Sequence, residues 1–402
     1  MKKQSVHAIG FNLLLVNAFV NICFALYIPF LSTFYATKGI NSVEIGILLT
    51  ISPVASILIQ PLWAMFSDRL NKRKFFLALV VLGSALTIFS YYLGNTFTTY
   101  FIATALVSLF STAILPLSDA ITIREAGKYH FDFARIRMGG TIGYAFMVTI
   151  TGWILRVRPN SLFFLGFLGY TALLVFVLRL PGDQNAKKEE KLTKASQDPS
   201  VGVKGILSIF NTKMILFVFA FALISQIGFS FYWGFLGVYL LDLGYGQSTL
   251  GWLNCISALS EVPALLIINK LIKKFGSLKI LFASCIILSL RIFLVTMGSL
   301  PIIVLAQLLH GFTYMTIYFS CAVYINNNVR QGKQSQGQSL LAIMQTGIGS
   351  ILGNIAGGYL VDLFGITSAY GLIAFVLITS ALIILLLQLL YEKRMKRHKL
   401  ST

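Results

Sequence analysis

QPLWAMFSDRLNKRK, residues 60–74, changes character halfway along. Its first half closes an apolar run that begins near residue 43. Its second half carries Arg69, Lys72, Arg73 and Lys74 beside a lone acid, Asp68, and a new apolar run, 75–93, follows at once. Two apolar runs of about 20 residues joined by a short basic loop form a hairpin that crosses a bilayer twice. About 20 helical residues span the hydrocarbon core, and the cations stay in water on the cytoplasmic side. VPALLIINKLIKK at 262–274 repeats the arrangement, with Pro263 in the place of Pro61 and basic residues beyond it. The two prolines are 202 positions apart in a chain of 402, and such halves are typical of proteins built from two membrane repeats.

The pattern extends over the whole chain. Breaking it at charges and at Gly, Pro and Asn clusters predicts twelve spans: 8–35, 43–66, 75–93, 99–121, 137–156, 161–179, 213–241, 248–269, 279–297, 301–325, 337–361 and 367–390. Apolar residues make up 57% and charged ones 11%, too little charge for a soluble surface, a disordered chain or a coiled coil. With the N-terminus inside, 28 of the 32 Lys and Arg fall on the cytoplasmic side, and only Lys38, Arg156 and Arg158 lie in outside loops. Both termini are therefore expected in the cytoplasm. The net charge of +19 then reports loops facing anionic lipid rather than nucleic-acid binding. The expected fold is an all-α membrane protein with two six-helix bundles, 1–180 and 213–402, and a flexible cytoplasmic linker at 181–212 whose end, 204–212, forms a short interfacial helix. Cys23, Cys255, Cys285 and Cys321 lie inside apolar runs and form no metal spacing.

Ionisable groups inside spans are expensive and so mark function by default. Asp119 ends span four and Arg137 opens span five, each nine residues from Lys128, so a helical hairpin brings them to similar depth. They are either a solute-binding pair or a structural tie between helices. Tyr144 lies two turns beyond Arg137 on the same face. Glu261, Arg291 and His310 sit on spans eight, nine and ten, where no other acid, arginine or histidine occurs. Gly349, Gly353 and Gly357, like Gly139, Gly140 and Gly143, predict close helix packing. Phe229, Phe231, Tyr232 and Trp233 fit either a pore lining or a lipid face.

QPLWAMFSDRLNKRK resembles the major facilitator superfamily loop signature, G-x-x-x-D-R-x-G-R-[RK]. Asp68 and Arg69 match it, and Ala64 and Asn71 stand where it has glycine. YIPFLSTFY (27–35), FDFARIRMGGTIGY (131–144), EVPALLIINKL (261–271), LSLRI (288–292) and LLHG (308–311) are similar to the lactose-permease-like branch, the oligosaccharide:proton symporters and their nucleoside- and aromatic-acid-permease relatives. The resemblance implies the major facilitator fold. It implies that Asp68 and Arg69 latch one conformation, that Asp119 and Arg137 hold solute hydroxyls, and that Tyr144 replaces a ring-stacking Trp. It also implies that Glu261, Arg291 and His310 take part in substrate binding and proton coupling. Two departures bear on this. Thr313 stands where those permeases carry a proton-carrying Glu, one turn after the His. Glu261 is displaced by about two turns when IIN at 267–269 is used as anchor. If protons drive transport, Glu261 or Asp119 must carry them, with His310 as relay.

No phosphate-binding G-x-x-x-x-G-K-[ST] loop and no HExxH, CxxC or G-x-S-x-G motif occurs, which argues against direct ATP drive and against an enzyme. Span five lacks the Gly-Pro signature of drug antiporters. The expected function is proton-coupled symport of a small polar solute, such as a sugar, oligosaccharide, glycoside or nucleoside, by a monomer in the cell membrane. No cofactor is expected beyond the coupling proton, and no nucleic-acid partner. An efflux transporter and a non-transporting membrane sensor are the alternatives.

Overall fold

The computed structural model describes residues 6–182, 213–329 and 333–401, and all regular structure among them is helical. The linker reading at 183–212, with its interfacial helix at 204–212, lies outside the described residues. The spanning helices are α1 (Val6–Thr37), α2 (Ser42–Arg69), α3 (Arg73–Tyr92), α4 (Phe97–Tyr129), α5 (Arg135–Val157), α6 (Pro159–Leu178), α7 (Met214–Asp242), α8 (Gln247–Phe275) and α9 (Ser277–Val295). The tenth expected span is two shorter helices, α10 (Leu300–Leu308) and α11 (Tyr314–Asn328). Then come α12 (Gln336–Phe364) and α13 (Ile366–Arg394).

Local chemistry sets several of the ends. Asn41 caps α2 by accepting from the Glu44 backbone N–H at 2.8 Å, while the Glu44 carboxylate accepts from the Asn41 N–H at 3.2 Å, a reciprocal box that satisfies two orphan donors. Thr96 and Thr99 do the same for α4. The loop between α2 and α3 turns on Asn71 at φ +52°. Asparagine tolerates this left-handed conformation better than most residues, which explains a residue other than glycine there. Pro61 opens a second segment of α2 after a break at Ile59, whereas Pro263 lies inside a continuous α8. The proline repeat is thus a repeat of position, not of bending. α4 runs on to Tyr129, beyond the expected end at 121. REAGKY carries charge, but charge does not stop a helix once it leaves the hydrocarbon.

Helix contacts divide the described residues into two compact units. One holds those up to 182 together with Gly234–Leu259. The other holds 213–233 and those from Ser260 onward. In the first, α1 packs on α5 and α6. Gly139, Gly140 and Gly143 of α5 present a bare backbone to Leu14, Asn21 and Ala18 of α1. Hydrogen bonds buried in this unit join Asn17 Nδ2 to Thr122 Oγ1 at 2.9 Å, Tyr35 to Thr104 at 2.8 Å and Tyr27 to Tyr170 at 2.9 Å. Buried tyrosine hydroxyls require such partners. At the end of this unit remote from the N-terminus, Gly152 of α5 meets Gly251 of α8 backbone to backbone. In the second unit, α9 packs on α13 and α11, and Gly349 and Gly353 of α12 pack on Gln226 and Ile227 of α7. Residues Ile343–Gly349 of α12 wind as a π-helix.

Candidate functional site

The break between α10 and α11 is where the second unit places its ionisable groups. In an unbroken helix the Gly311 N–H would donate to the carbonyl four residues back. Instead the His310 N–H takes the Gln307 carbonyl at 3.0 Å, and Gly311 N–H donates to Ser260 Oγ of α8 at 3.0 Å. A Cβ at Gly311 would run into the Ser260 backbone, so only glycine lets the two segments approach this closely. Thr313, buried, spends its hydroxyl on the His310 carbonyl at 2.8 Å. Ser260 and Gly311 each adjoin a key group along the chain, and the approach delivers Glu261 Oε1 to within 3.1 Å of His310 Nε2.

On its other side His310 meets Arg291. Arg291 Nη1 lies 2.9 Å from His310 Nδ1. Arginine has donors only, so Nδ1 is the acceptor, and the proton of the neutral ring sits on Nε2 and donates to Glu261. Arg291 is wholly buried. Its Nε donates to the Ala306 carbonyl at 2.9 Å and its Nη2 to Gln307 Oε1 at 2.9 Å. Its guanidinium carbon lies 4.1 Å from the centre of the Tyr232 ring. A desolvated contact of this kind is worth about 2 kcal/mol and helps offset the cost of a buried charge. Gln307 Nε2 completes the frame by donating to the Tyr232 hydroxyl at 2.7 Å. The three ionisable groups expected on spans eight to ten are thus one chain, Glu261–His310–Arg291, with the imidazole in the middle. The displacement of Glu261 along its helix does not keep it from His310.

Aromatic rings close around the imidazole. Tyr314 stacks on it with centroids 5.7 Å apart, and Trp233 meets it edge-on at 5.5 Å. Phe229, Phe231 and Tyr232 are buried, which excludes a lipid face for them. Phe229 and Tyr314 also line a pocket with Ser225, Gln226, Gln345 and Thr346.

In the first unit, Arg137 Nη1 donates to Asp119 Oδ2 at 3.1 Å. The turn of the hairpin falls at His130–Asp132 rather than near Lys128, because α4 is longer than expected, yet the pair still forms. Asp119 Oδ1 is buried and makes no hydrogen bond among the described residues. The Arg137 side chain is 56% exposed, so its remaining donors are open beside a buried carboxylate oxygen that has no partner among the described residues. Tyr144 is half-buried on α5. Asp68 bonds Arg73 Nε at 2.9 Å across the loop between α2 and α3, and Arg69 is exposed.

Sequence reasoning missed Gln307, which lies one helical turn before His310; that spacing was the available signal. It also missed Glu125, counted as loop. Glu125 is buried on α4 and pairs with Arg124 at 2.9 Å.

Residues 18–372 match the model of the MFS_1 like family. The chain is 25% identical to the maltose permease of Geobacillus stearothermophilus over 90% of its own length and 91% of that protein's. It is 26% identical to the putative nucleoside transporter YegT of Escherichia coli, over 81% and 78%. A crystal structure of the nucleoside transporter NupG superposes with a TM-score of 0.80 at 20% identity, covering 94% of this chain and 98% of that one. The eleven spanning helices among the described residues, the shorter pair α10 and α11, and these matches agree: the chain belongs to the MFS_1 like family, with the major facilitator fold of secondary transporters.

Proposed function

We propose that this protein is a proton-coupled symporter that carries a small polar solute, a sugar, glycoside or nucleoside, into the cell as a monomer with both termini in the cytoplasm. Two six-helix halves, 1–180 and 213–402, expose the solute site to one side at a time. The observation that carries the reading is the Glu261–His310–Arg291 chain, in which His310 and Arg291 are buried. Glu261 is its only carboxylate, and the position one turn after His310 is Thr313, which cannot titrate. Glu261 therefore takes the proton, with Arg291 held across the imidazole from it.

Asp119 and Arg137 bind the solute. A planar fork of donors beside an unused carboxylate oxygen suits a polyhydroxylated molecule, and the permease names of the relatives support that class. Tyr144 supplies a ring face. Asp68 and Arg69 steady one conformation from the loop between α2 and α3. Proton and solute favour the same occluded state, so each raises the other's affinity equally.

The test is made on reconstituted wild-type protein. Maltose, lactose, uridine and adenosine are added in turn to proteoliposomes holding a pH dye. Acidification of the lumen with one of them, and accumulation of that solute under an inward proton gradient, is the expected result. Export under the same gradient would establish the efflux alternative. Absence of exchange for every solute would favour a sensor.

A further inference from the structure

Nothing in the proposed cycle assigns a task to Gln307, yet its amide is committed at both ends. Oε1 accepts from Arg291 Nη2 at 2.9 Å and Nε2 donates to the Tyr232 hydroxyl at 2.7 Å. Reversing the amide would set a donor against a donor at Arg291, so its orientation is fixed. Gln307 is 1% exposed and Tyr232 0%, so water does not substitute for either. A guanidinium is planar, and fixing Nη2 while Nε is held by the Ala306 carbonyl fixes the direction of Nη1. That direction is His310 Nδ1.

We infer that Gln307, anchored by Tyr232, is a positioning residue that keeps His310 in its neutral Nε2–H form and so excludes it from carrying the coupling proton. A second proton on the imidazole would have to sit on Nδ1, opposite an Arg291 N–H. Two donors would then face each other at 2.9 Å in a buried site. The proton has one place to go, Glu261 Oε1 or Oε2, and His310 acts as a fixed spacer that passes the field of Arg291 to the carboxylate. The task expected of His310, that of a relay, is thereby replaced. The titratable and charged groups facing this set are Glu261 from α8, Arg291 from α9, Tyr232 from α7, Tyr314 from α11 and Tyr370 from α13, whose hydroxyl donates to the Tyr232 carbonyl at 3.2 Å. The inference rests on the proton-coupled reading only for its consequence. The tautomer itself is testable without transport.

Trp233 supplies the probe, because it lies 5.5 Å from the imidazole and an imidazolium quenches indole fluorescence where a neutral imidazole does not. The chain has four tryptophans. Replacing Trp63, Trp153 and Trp252 with Phe leaves Trp233 as the reporter in the full-length protein. Its emission should stay flat between pH 8 and pH 5. Gln307→Met keeps the length of the side chain but neither end of the amide, so Arg291 is free to rotate away. Emission should then fall toward the acid end of that range, where it stays flat with Gln307 in place. Tyr232→Phe, which keeps the ring under Arg291 and removes the hydroxyl that anchors the amide and itself meets the guanidinium, should show the same step with smaller amplitude. His310→Gln in the Gln307→Met background should abolish it. A step already present with Gln307 in place would overturn the inference, and so would flat emission in both Gln307→Met and Tyr232→Phe. A purely structural Gln307 would lower the unfolding temperature and leave the titration flat. Proton-driven uptake, measured on the same wild-type sample, decides the functional reading separately. A flat wild-type titration with a step in Gln307→Met, but no proton-driven uptake, would keep this inference and discard that reading.

Discussion

Arg137 and Glu261 are both ionisable groups in apolar surroundings, and they differ in what the structure leaves open around them. Arg137 is half in the open, with one bond to Asp119; Glu261 is nearly enclosed and faces a histidine. In the proposed cycle the first meets the solute and the second holds or loses the proton. Replacing Arg137 by Lys keeps the charge and loses the planar fork. Losing one charge-assisted hydrogen bond costs about 1.5–3 kcal/mol, so solute affinity should fall roughly 10- to 150-fold. Isothermal titration on detergent-solubilised protein would read this, with an unchanged unfolding temperature as control. Unaltered binding would assign the pair to structure. Asn71 is a quieter case. A β-branched residue at its φ of +52° is strained by about 1–2 kcal/mol, so Asn71→Val should lower the unfolding temperature where Asn71→Gly does not. Lone charges in apolar runs were legible in the sequence because hydrocarbon makes them conspicuous. Gln307 and Tyr232 were not, since a neutral amide and a ring at helical spacing look like ordinary packing until the guanidinium between them is placed.

Helices, too, divide into those the sequence announces and one it hides. Length and hydropathy mark the eleven spanning helices among the described residues. The break at 309–313 has no proline, and its apolar flanks read as one span. It exists because Gly311 N–H leaves its own helix for Ser260, a tertiary event with only a single glycine to signal it. The consequence is specific. Gly311→Ala places a methyl group against the Ser260 backbone, and overpacking of this kind costs about 1–3 kcal/mol. The unfolding temperature should drop, and proton-coupled uptake should fall by more than solute exchange, because α8 and the α10–α11 break move apart and Glu261 loses His310. Equal loss of both activities would mean that the break serves folding alone. The end of α4 shows the opposite failure. Its charged last turns were read as loop, although nothing in REAGKY opposes a helix in water, and buried Glu125 was lost with them.

For the whole molecule, the proposed sidedness rests on the Lys and Arg distribution along the sequence, which assigns 28 of 32 to the cytoplasmic side. A cysteine at Lys72, in the loop after α2, should react with an impermeant maleimide in inside-out vesicles and not in intact cells. Labelling from outside would invert the topology and the direction of transport with it. The superfamily was legible in the loop at 60–74, and the matched family bears that reading out; the solute was not legible, since the groups proposed to hold it, Asp119 and Arg137, define a class and not a compound. The central claim is that Glu261 is the group whose proton drives the cycle. The direct measurement is a pair of assays on Glu261→Gln in proteoliposomes, equilibrium counterflow and uptake against a gradient. Glutamine keeps the shape and the hydrogen bond but has no proton to release. The loaded carrier should still reorient, so counterflow persists, while the return of the empty, deprotonated carrier fails and uphill accumulation disappears. Full uphill accumulation by Glu261→Gln would contradict the account and move the coupling to another group.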